Sequence, residues 1–354
     1  MTFRVGLVTT PTSDRRLAGE LSLLAPEVTV VPISLVPGSG WGWPAPKRQE
    51  GRWRIVCGEF PGEEGSGAPT LAIERAARAL EAIVVEERLL GLHVDGQAGA
   101  LAAARLGLPF VFSLPLEHHP TRMLSMLDDV RGWATLVCRT ERHAVMLRRL
   151  GLERVQVVAP FHGRDQGDAT SIRLPGARPR LACLASGLDA VSAVVEAVRT
   201  LPSPHSLLSI GPLEAAAVAM LEPLDPAAGA IRVGVPADPI RTFRACDLLV
   251  LASPSPLQVP AFLPEAMRAR RPLVAIRHSA AAAFLEPETE ALLVEEGDTA
   301  GMARVLRTLL DDRPRARKLA SASWKKAGRL FSRTTVRAGW RRVYDRLSLA
   351  PGIT

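Results

Sequence analysis

Cysteine is scarce and never clustered. The four in 354 residues, Cys57, Cys138, Cys183 and Cys246, stand singly, three of them inside apolar runs. Neither a metal-ligand spacing nor a disulfide framework can be drawn through them, and they are expected to be small buried hydrophobes. Aromatic residues make up 5% of the chain, with a single tyrosine. None interleaves with the charges as a stacking platform for single strands requires, so no specific nucleic acid is expected as a partner. Long apolar runs are also missing. The longest, such as LSLLAPEVTVVPISLV, are broken by charge or proline well short of the roughly 20 residues a bilayer span needs. The start, MTFRVGLVTT, goes straight into a strand-like run, without the basic start, apolar segment and cleavage site of a secretory signal. A cytoplasmic protein is the expectation.

What is present is enough apolar material for sizeable cores: 47% hydrophobic against 23% charged residues, the balance of an ordinary globular protein. At 354 residues, two domains are expected rather than one. The net charge of +8 is unevenly placed: Arg313 to Arg346 holds twelve Lys or Arg against one acid, Asp345, a local +11 that leaves about −3 for the rest. A basic region on a mildly acidic body fits an anionic partner, lipid headgroups at the inner face of a membrane ahead of nucleic acid, or else a protein surface. A solvated helix face is the plainer reading. Steps of four place Arg329, Arg333, Arg337 and Arg341 on one helical stripe.

Strand-like and helix-like runs alternate throughout. FRVGLVTT, VTVVPISL, RWRIVCGEF, AIVVEE, PFVFSLP, WATLVCRT and RVQVVAP read as strands, with RRLAGELSLLA, LAIERAARALE, GQAGALAAARLG and ERHAVMLRRLG as helices. Short apolar strands separated by helices predict a parallel sheet covered on both faces. The polar, glycine-rich text from His162 to Pro179 lacks any period and reads as a linker. Alternation then resumes with RLACLAS, SLLSIG, AIRVGV and DLLVLAS. The expected boundaries are a first Rossmann-like domain over 1–165, a linker over 166–178, a second such domain over 179–325, and a basic carboxyl-terminal helix over 326–354 crossing back to the first domain. The fold class is α/β, two doubly wound domains facing a cleft, with ligands beyond the carboxyl ends of the strands.

Two stretches are more specific: WATLVCRTERHAVMLRRLGLERVQVVAP, and FRACDLLVLASPSPLQVPAFLPEAMRARRPLVAI followed by EALLVEEGDTAGMARVLRTLLDD. With the order of elements, they resemble the GT-B glycosyltransferases, and among them the retaining family 4 that uses nucleotide sugars. The resemblance spans almost the whole chain. It implies transfer of a sugar from a nucleotide-sugar donor to an acceptor, with retention, without metal ligands and without a bound cofactor. It also implies that Glu265, in the PEAM helix start, contacts the nucleotide ribose; an acid in a first helical turn after proline also suits that position without any ligand.

The donor side departs from the family pattern. The glutamate expected eight residues before Glu265 is replaced by Leu257, with Gln258 beside it. The basic pair expected after the first strand of the second domain is absent: Ser186, with Gly187 beside it, stands where the lysine would be, and no arginine appears. A glycine pair expected after a later strand is replaced by Ser279, Ala280 and Ala283, with Arg277 as a substitute cation. Gly211 and Val235 close two further strands on this side. Since a departing diphosphate needs cations or oriented N–H groups, the resemblance predicts a degenerate donor site. On the acceptor side it points to Thr10, Arg15 and Arg16 after the first strand, and to Glu117 and His118 after PFVFSLP, His118 as a sugar contact or proton shuttle or simply a surface loop residue. Glu86 and Glu87, expected at a strand end, either bind sugar hydroxyls or are solvated. The function expected is that of a glycosyltransferase; the alternatives are a non-catalytic binding or structural subunit with this fold, and a sugar-phosphate epimerase or other GT-B enzyme.

Overall fold

The computed structural model describes residues 3–9, 15–36, 46–56, 70–114, 129–161, 172–174, 176, 178–184, 188–202, 205–210, 230–234, 236, 238–253 and 262–348. The chain divides into two compact units, Met1–Phe161 with Arg333–Thr354, and His162–Ser332.

In the first unit the strands are β1 (Phe3–Thr9), β2 (Val28–Val36), β3 (Lys47–Gln49), β4 (Arg52–Val56), β5 (Gly91–Asp95), β6 (Phe110–Ser113), β7 (Ala134–Cys138) and β8 (Val155–Val157). Its helices are α1 (Arg15–Ser22), α2 (Thr70–Glu86), α3 (Gln97–Arg105) and α4 (Glu141–Arg149). The strand order is β3-β4-β2-β1-β5-β6-β7-β8, parallel except for the β3–β4 hairpin. In the second unit β9 (Arg180–Leu184), β10 (Ser206–Ile210), β11 (Ala230–Gly234), β12 (Leu248–Leu251), β13 (Leu273–Ile276) and β14 (Leu292–Val294) alternate with α5 (Leu188–Arg199), α6 (Pro239–Arg244), α7 (Leu263–Arg268) and α8 (Thr299–Asp311). The basic tail forms α9 (Arg313–Leu330) in this unit and α10 (Arg333–Ser348) in the first.

The second sheet is wholly parallel in the order β11-β10-β9-β12-β13-β14. Counted within the unit this is 3-2-1-4-5-6, the dinucleotide-fold order, whose direction reverses between the first and fourth strands. The first sheet, its hairpin strand aside, reverses in the same way between β1 and β5. Buried strands such as β12, LLVL, and β6, FVFS, are apolar because helices cover both faces. Cys138, Cys183 and Cys246 are buried in these layers, as expected, and burial raises each thiol to about 12; Cys57 lies outside the described residues.

Two expectations fail. AIVVEE is not a strand: α2 runs through it to Glu86, and the strand is the following Gly91–Asp95. The run carries strand-forming residues, but Ile73, Ala76, Ala77, Leu80 and Ile83 continue a helical buried face into it. Nor do the four arginines form one helical stripe. The basic helix breaks at Phe331, placing Arg329 on α9 and Arg333, Arg337 and Arg341 on α10, and Arg337 Nη2 donates to Glu27 Oε1 at 2.7 Å. The break is local: Phe331 is buried, tilted against Phe284 at 5.6 Å.

Helix α10 buries Val336, Trp340, Val343, Tyr344 and Leu347 against Val5, Leu7, Leu17 and Leu21 of the first unit. Those spacings, four, three, one and three, trace one face of a helix. No helix among the described residues is long and apolar enough to cross a membrane.

Candidate functional site

A helix that follows a parallel strand runs back antiparallel to it, so its first turn lies at the carboxyl edge of the sheet. Glu265 occupies that position on α7, after β12, and is 9% exposed. Pro264 fits a first-turn site whose N–H has no intrahelical partner. Phe262, at the helix entry, meets Phe243 edge-on at 6.3 Å, and Leu263, Ala266 and Met267 of the same helix are buried. At the other end of α7, Arg268 and Arg270 stack on Trp324 of α9, with guanidinium carbons 5.4 and 3.8 Å from the ring centroid. These two cations therefore sit at the opposite end of the helix from Glu265.

Arg277 follows β13 at the same carboxyl edge. Its backbone N–H donates to the Val294 carbonyl at 2.7 Å, and its side chain pairs with Glu295, Nε to Oε1 at 2.6 Å. Arg277 is part-exposed and Glu295 exposed, so the pair is worth at most about 1 kcal/mol. Ser279 is buried, and its Oγ accepts from the Ala282 N–H at 3.2 Å, opening a 3-10 turn over Ala282–Phe284. Its oxygen thus helps to shape the loop, and Ala280 and Ala281 are fully buried beside it. Ser186, Gly187, Gly211, Val235 and Gln258 lie outside the described residues.

On the first unit Thr10, Glu117 and His118 also lie outside the described residues, and Arg15 and Arg16 are placed only as the opening residues of α1. Glu86 ends α2 rather than a strand. Glu87 is 8% exposed and engaged in the fold: it pairs with Arg4, accepts from Trp53 Nε1 at 2.9 Å, and lies 3.3 Å from Arg48. It is removed from the sugar-binding candidates by that commitment. Asp95 was not singled out in the sequence. It closes β5, next to β1 where the strand order reverses, and is 3% exposed. Its signal was an acid followed by glycine at the end of an apolar strand. Gly96 adopts φ 109, ψ 153, open only to glycine, and Gly99 lets α3 approach β1 and β5 so closely that a Cβ would lie 3.3 Å from Val8.

Behind this edge is a buried polar cluster. His93 Nδ1 is 2.6 Å from the Tyr344 hydroxyl, and Nε2 is 2.7 Å from Ser113 Oγ. Beside it Glu20 accepts from Arg139 at 2.8 Å, from Trp340 Nε1 at 3.0 Å and from the Phe161 N–H at 2.9 Å. Burial, with Arg139 as a second cause, lowers the His93 pKa to about 3, so the ring is neutral. Burial raises the Tyr344 pKa. The cluster ties α10 to β5, β6, β7 and α1.

Residues 180–312 match the family model of the group 1 glycosyl transferases. The match spans all six strands of the second unit's sheet, together with Glu265, Arg277 and Ser279. Solved structures agree on the fold over the whole chain. Sucrose-phosphate synthase from Thermosynechococcus elongatus superposes with a TM-score of 0.74 at 14% identity, over 98% of this chain and 99% of that one. HepE from Anabaena, solved with UDP-glucose, gives 0.71 at 14% identity, over 98% and 100%. A glycosyltransferase from Rickettsia africae gives 0.71 at 12% identity, over 98% of each. The fold is GT-B. No curated protein sequence matches the chain.

Proposed function

We propose that this chain is a glycosyl transferase that takes its sugar from a nucleoside diphosphate sugar, with Glu265 accepting hydrogen bonds from the ribose hydroxyls. The observation that carries this reading is the buried carboxylate of Glu265, held in the first turn of α7 at the carboxyl edge of a group 1 domain sheet. A carboxylate at that edge can accept from two vicinal hydroxyls at once. UDP is the first nucleotide to try, because HepE is solved with UDP-glucose. Arg277 is the described cation best placed along the chain to meet a diphosphate, after release from Glu295. Retention and independence from metal follow from the resemblance drawn in the sequence; the acceptor side rests with Asp95 and the residues after β1 and β6.

Glu265→Gln keeps the shape of the side chain and removes its charge. A hydrogen bond to a charged group is worth about 1.5 to 3 kcal/mol, so the dissociation constant for UDP, measured by calorimetric titration, should rise roughly ten- to hundredfold. An unchanged constant would remove Glu265 from the ribose site.

A second reading, a non-catalytic subunit with this fold, is favoured by the burial of Ser279 and Ala280, which stand where the family pattern has its glycine pair. It predicts no nucleotide binding to either form, and a stability change for Glu265→Gln limited to about 0.3 to 1 kcal/mol from the helix terminus.

A further inference from the structure

At the amino edge of the second sheet, the end opposite Glu265, lies a cavity of about 530 Å³, a size that holds a small ligand. It is set among the residues that precede three strands, Pro179 before β9, Asp247 before β12 and Pro272 before β13, and is closed by the end of α8 and the first turns of α9. Five arginines line it, Arg178, Arg270, Arg271, Arg313 and Arg317, against two acids, Asp247 and Asp311. Leucine and alanine side chains from α8 and α9 form an apolar wall.

The two acids leave this cluster with an excess of positive charge. Asp247 is occupied, accepting from Arg178 Nη1 at 2.9 Å and from the Arg180 N–H at 2.8 Å. Arg271 is directed inward, and its guanidinium donates to the Arg244 carbonyl, a neutral partner. Its Nε is buried and makes no hydrogen bond among the described residues. Burial lowers its pKa, the Asp247 carboxylate opposes that, and the neighbouring Arg178 and Arg244 charges add to the lowering. Arg313 and Arg317 project from the first turns of α9, exposed and without an ion pair among the described residues. A half-buried guanidinium surrounded by others of its sign is stabilised by an anion that meets several of them at once.

We infer that this cavity binds a phosphate-bearing ligand, its anionic group held by Arg271, Arg313 and Arg317 and its remainder against the apolar wall. Guanidinium forks match phosphate oxygens in pairs, and α9 brings two of them, four residues apart, to one side of the cavity. The site is separate from the carboxyl edge, so it does not depend on the donor reading. Its chemistry is shared by a soluble phosphate ester and by the headgroup of an anionic lipid.

The test uses the full chain, inorganic pyrophosphate as a soluble probe, and vesicles of phosphatidylcholine with or without phosphatidic acid. Arg313→Glu with Arg317→Glu alters two exposed side chains and should leave the fold intact. Arg105→Glu with Arg149→Glu, exposed on the first unit, makes the same change in net charge elsewhere. Pyrophosphate is expected to bind the wild type and the control, and to bind the cavity variant roughly tenfold or more weakly, since charge-assisted hydrogen bonds are lost. Sedimentation with phosphatidic acid vesicles that is lost only in the cavity variant assigns the site to a lipid headgroup; pyrophosphate binding without it assigns a soluble phosphate. Absence of binding to both probes, or equal loss in the control, would overturn the inference.

Discussion

Replacing Glu20 by alanine should destabilise the first unit by about 3–5 kcal/mol, the usual cost of removing one partner of a buried ion pair. Glu20 is 1% exposed and Arg139 7%. The carboxylate receives three donors, the Arg139 guanidinium, the Trp340 indole and the Phe161 N–H, and alanine would leave all three without it, the first two in a buried setting. Most of the loss is the uncompensated guanidinium rather than the pair's own worth. The double variant Glu20→Ala with Arg139→Met should therefore recover much of the stability, because an apolar replacement of both partners is often neutral. The chain has two units, so a single melt does not report one free energy. Hydrogen exchange at the amides of β5 and β6 follows the first unit by itself. A loss under about 0.5 kcal/mol, the range of ordinary surface changes, would show that the cluster does not hold α10 in place.

The first unit should also lose stability steeply in acid. His93 is fully buried with both ring nitrogens in short contacts, to Tyr344 and Ser113; a neutral ring donates through one and accepts through the other. Burial holds its pKa at about 3, and burial alone holds that of His143 at about 4, whereas an unfolded histidine titrates near ~6.5. The folded values are depressed, so between these limits the unfolded chain binds more protons. Stability is full above about pH 6.5 and falls as pH drops toward 4 and then 3. Each histidine contributes a slope approaching about 1.4 kcal/mol per pH unit, and the two together about twice that over the upper part of the window. Exchange measured at pH 7 and pH 5 should show the loss. His93→Gln, which keeps a donor and an acceptor, should reduce the slope by roughly half. A slope unchanged by that substitution would mean that His93 is not the proton-linked group.

The architecture was largely legible because its signal is periodic. Apolar strands of four to seven residues and amphipathic helices repeat along the chain, and β9 through β14 fall where the alternation put them. AIVVEE misled because strand propensity and a helical buried face compete in one run, and the longer-range pattern wins when Ile83 packs with Leu80 and Ala76. The break at Phe331 follows from a tertiary contact with Phe284 that no local pattern records. Of the candidate site, the position of Glu265 was legible because PEAM between two buried strands marks both helix start and edge. Arg277 was identified as a cation, while its pairing with Glu295 depends on β13 and β14 being neighbours. Asp95 and Glu20 were passed over for a physical reason. Each gains its meaning from partners far along the chain, and Glu20 contacts Trp340 across 320 positions.

The central claim is that the carboxyl edge of the second sheet receives a nucleoside diphosphate sugar, and the most direct measurement is a calorimetric titration of the full chain with UDP and UDP-glucose, run in parallel on Glu265→Gln. The account predicts saturable binding of the nucleotide to the wild type, weakened roughly ten- to hundredfold in the variant, with a matching stabilisation of about 2.7 kcal/mol at a hundred times the dissociation constant. No heat and no stabilisation with UDP, UDP-glucose or the other nucleoside diphosphates and their sugars would contradict it, and would leave the non-catalytic reading in its place.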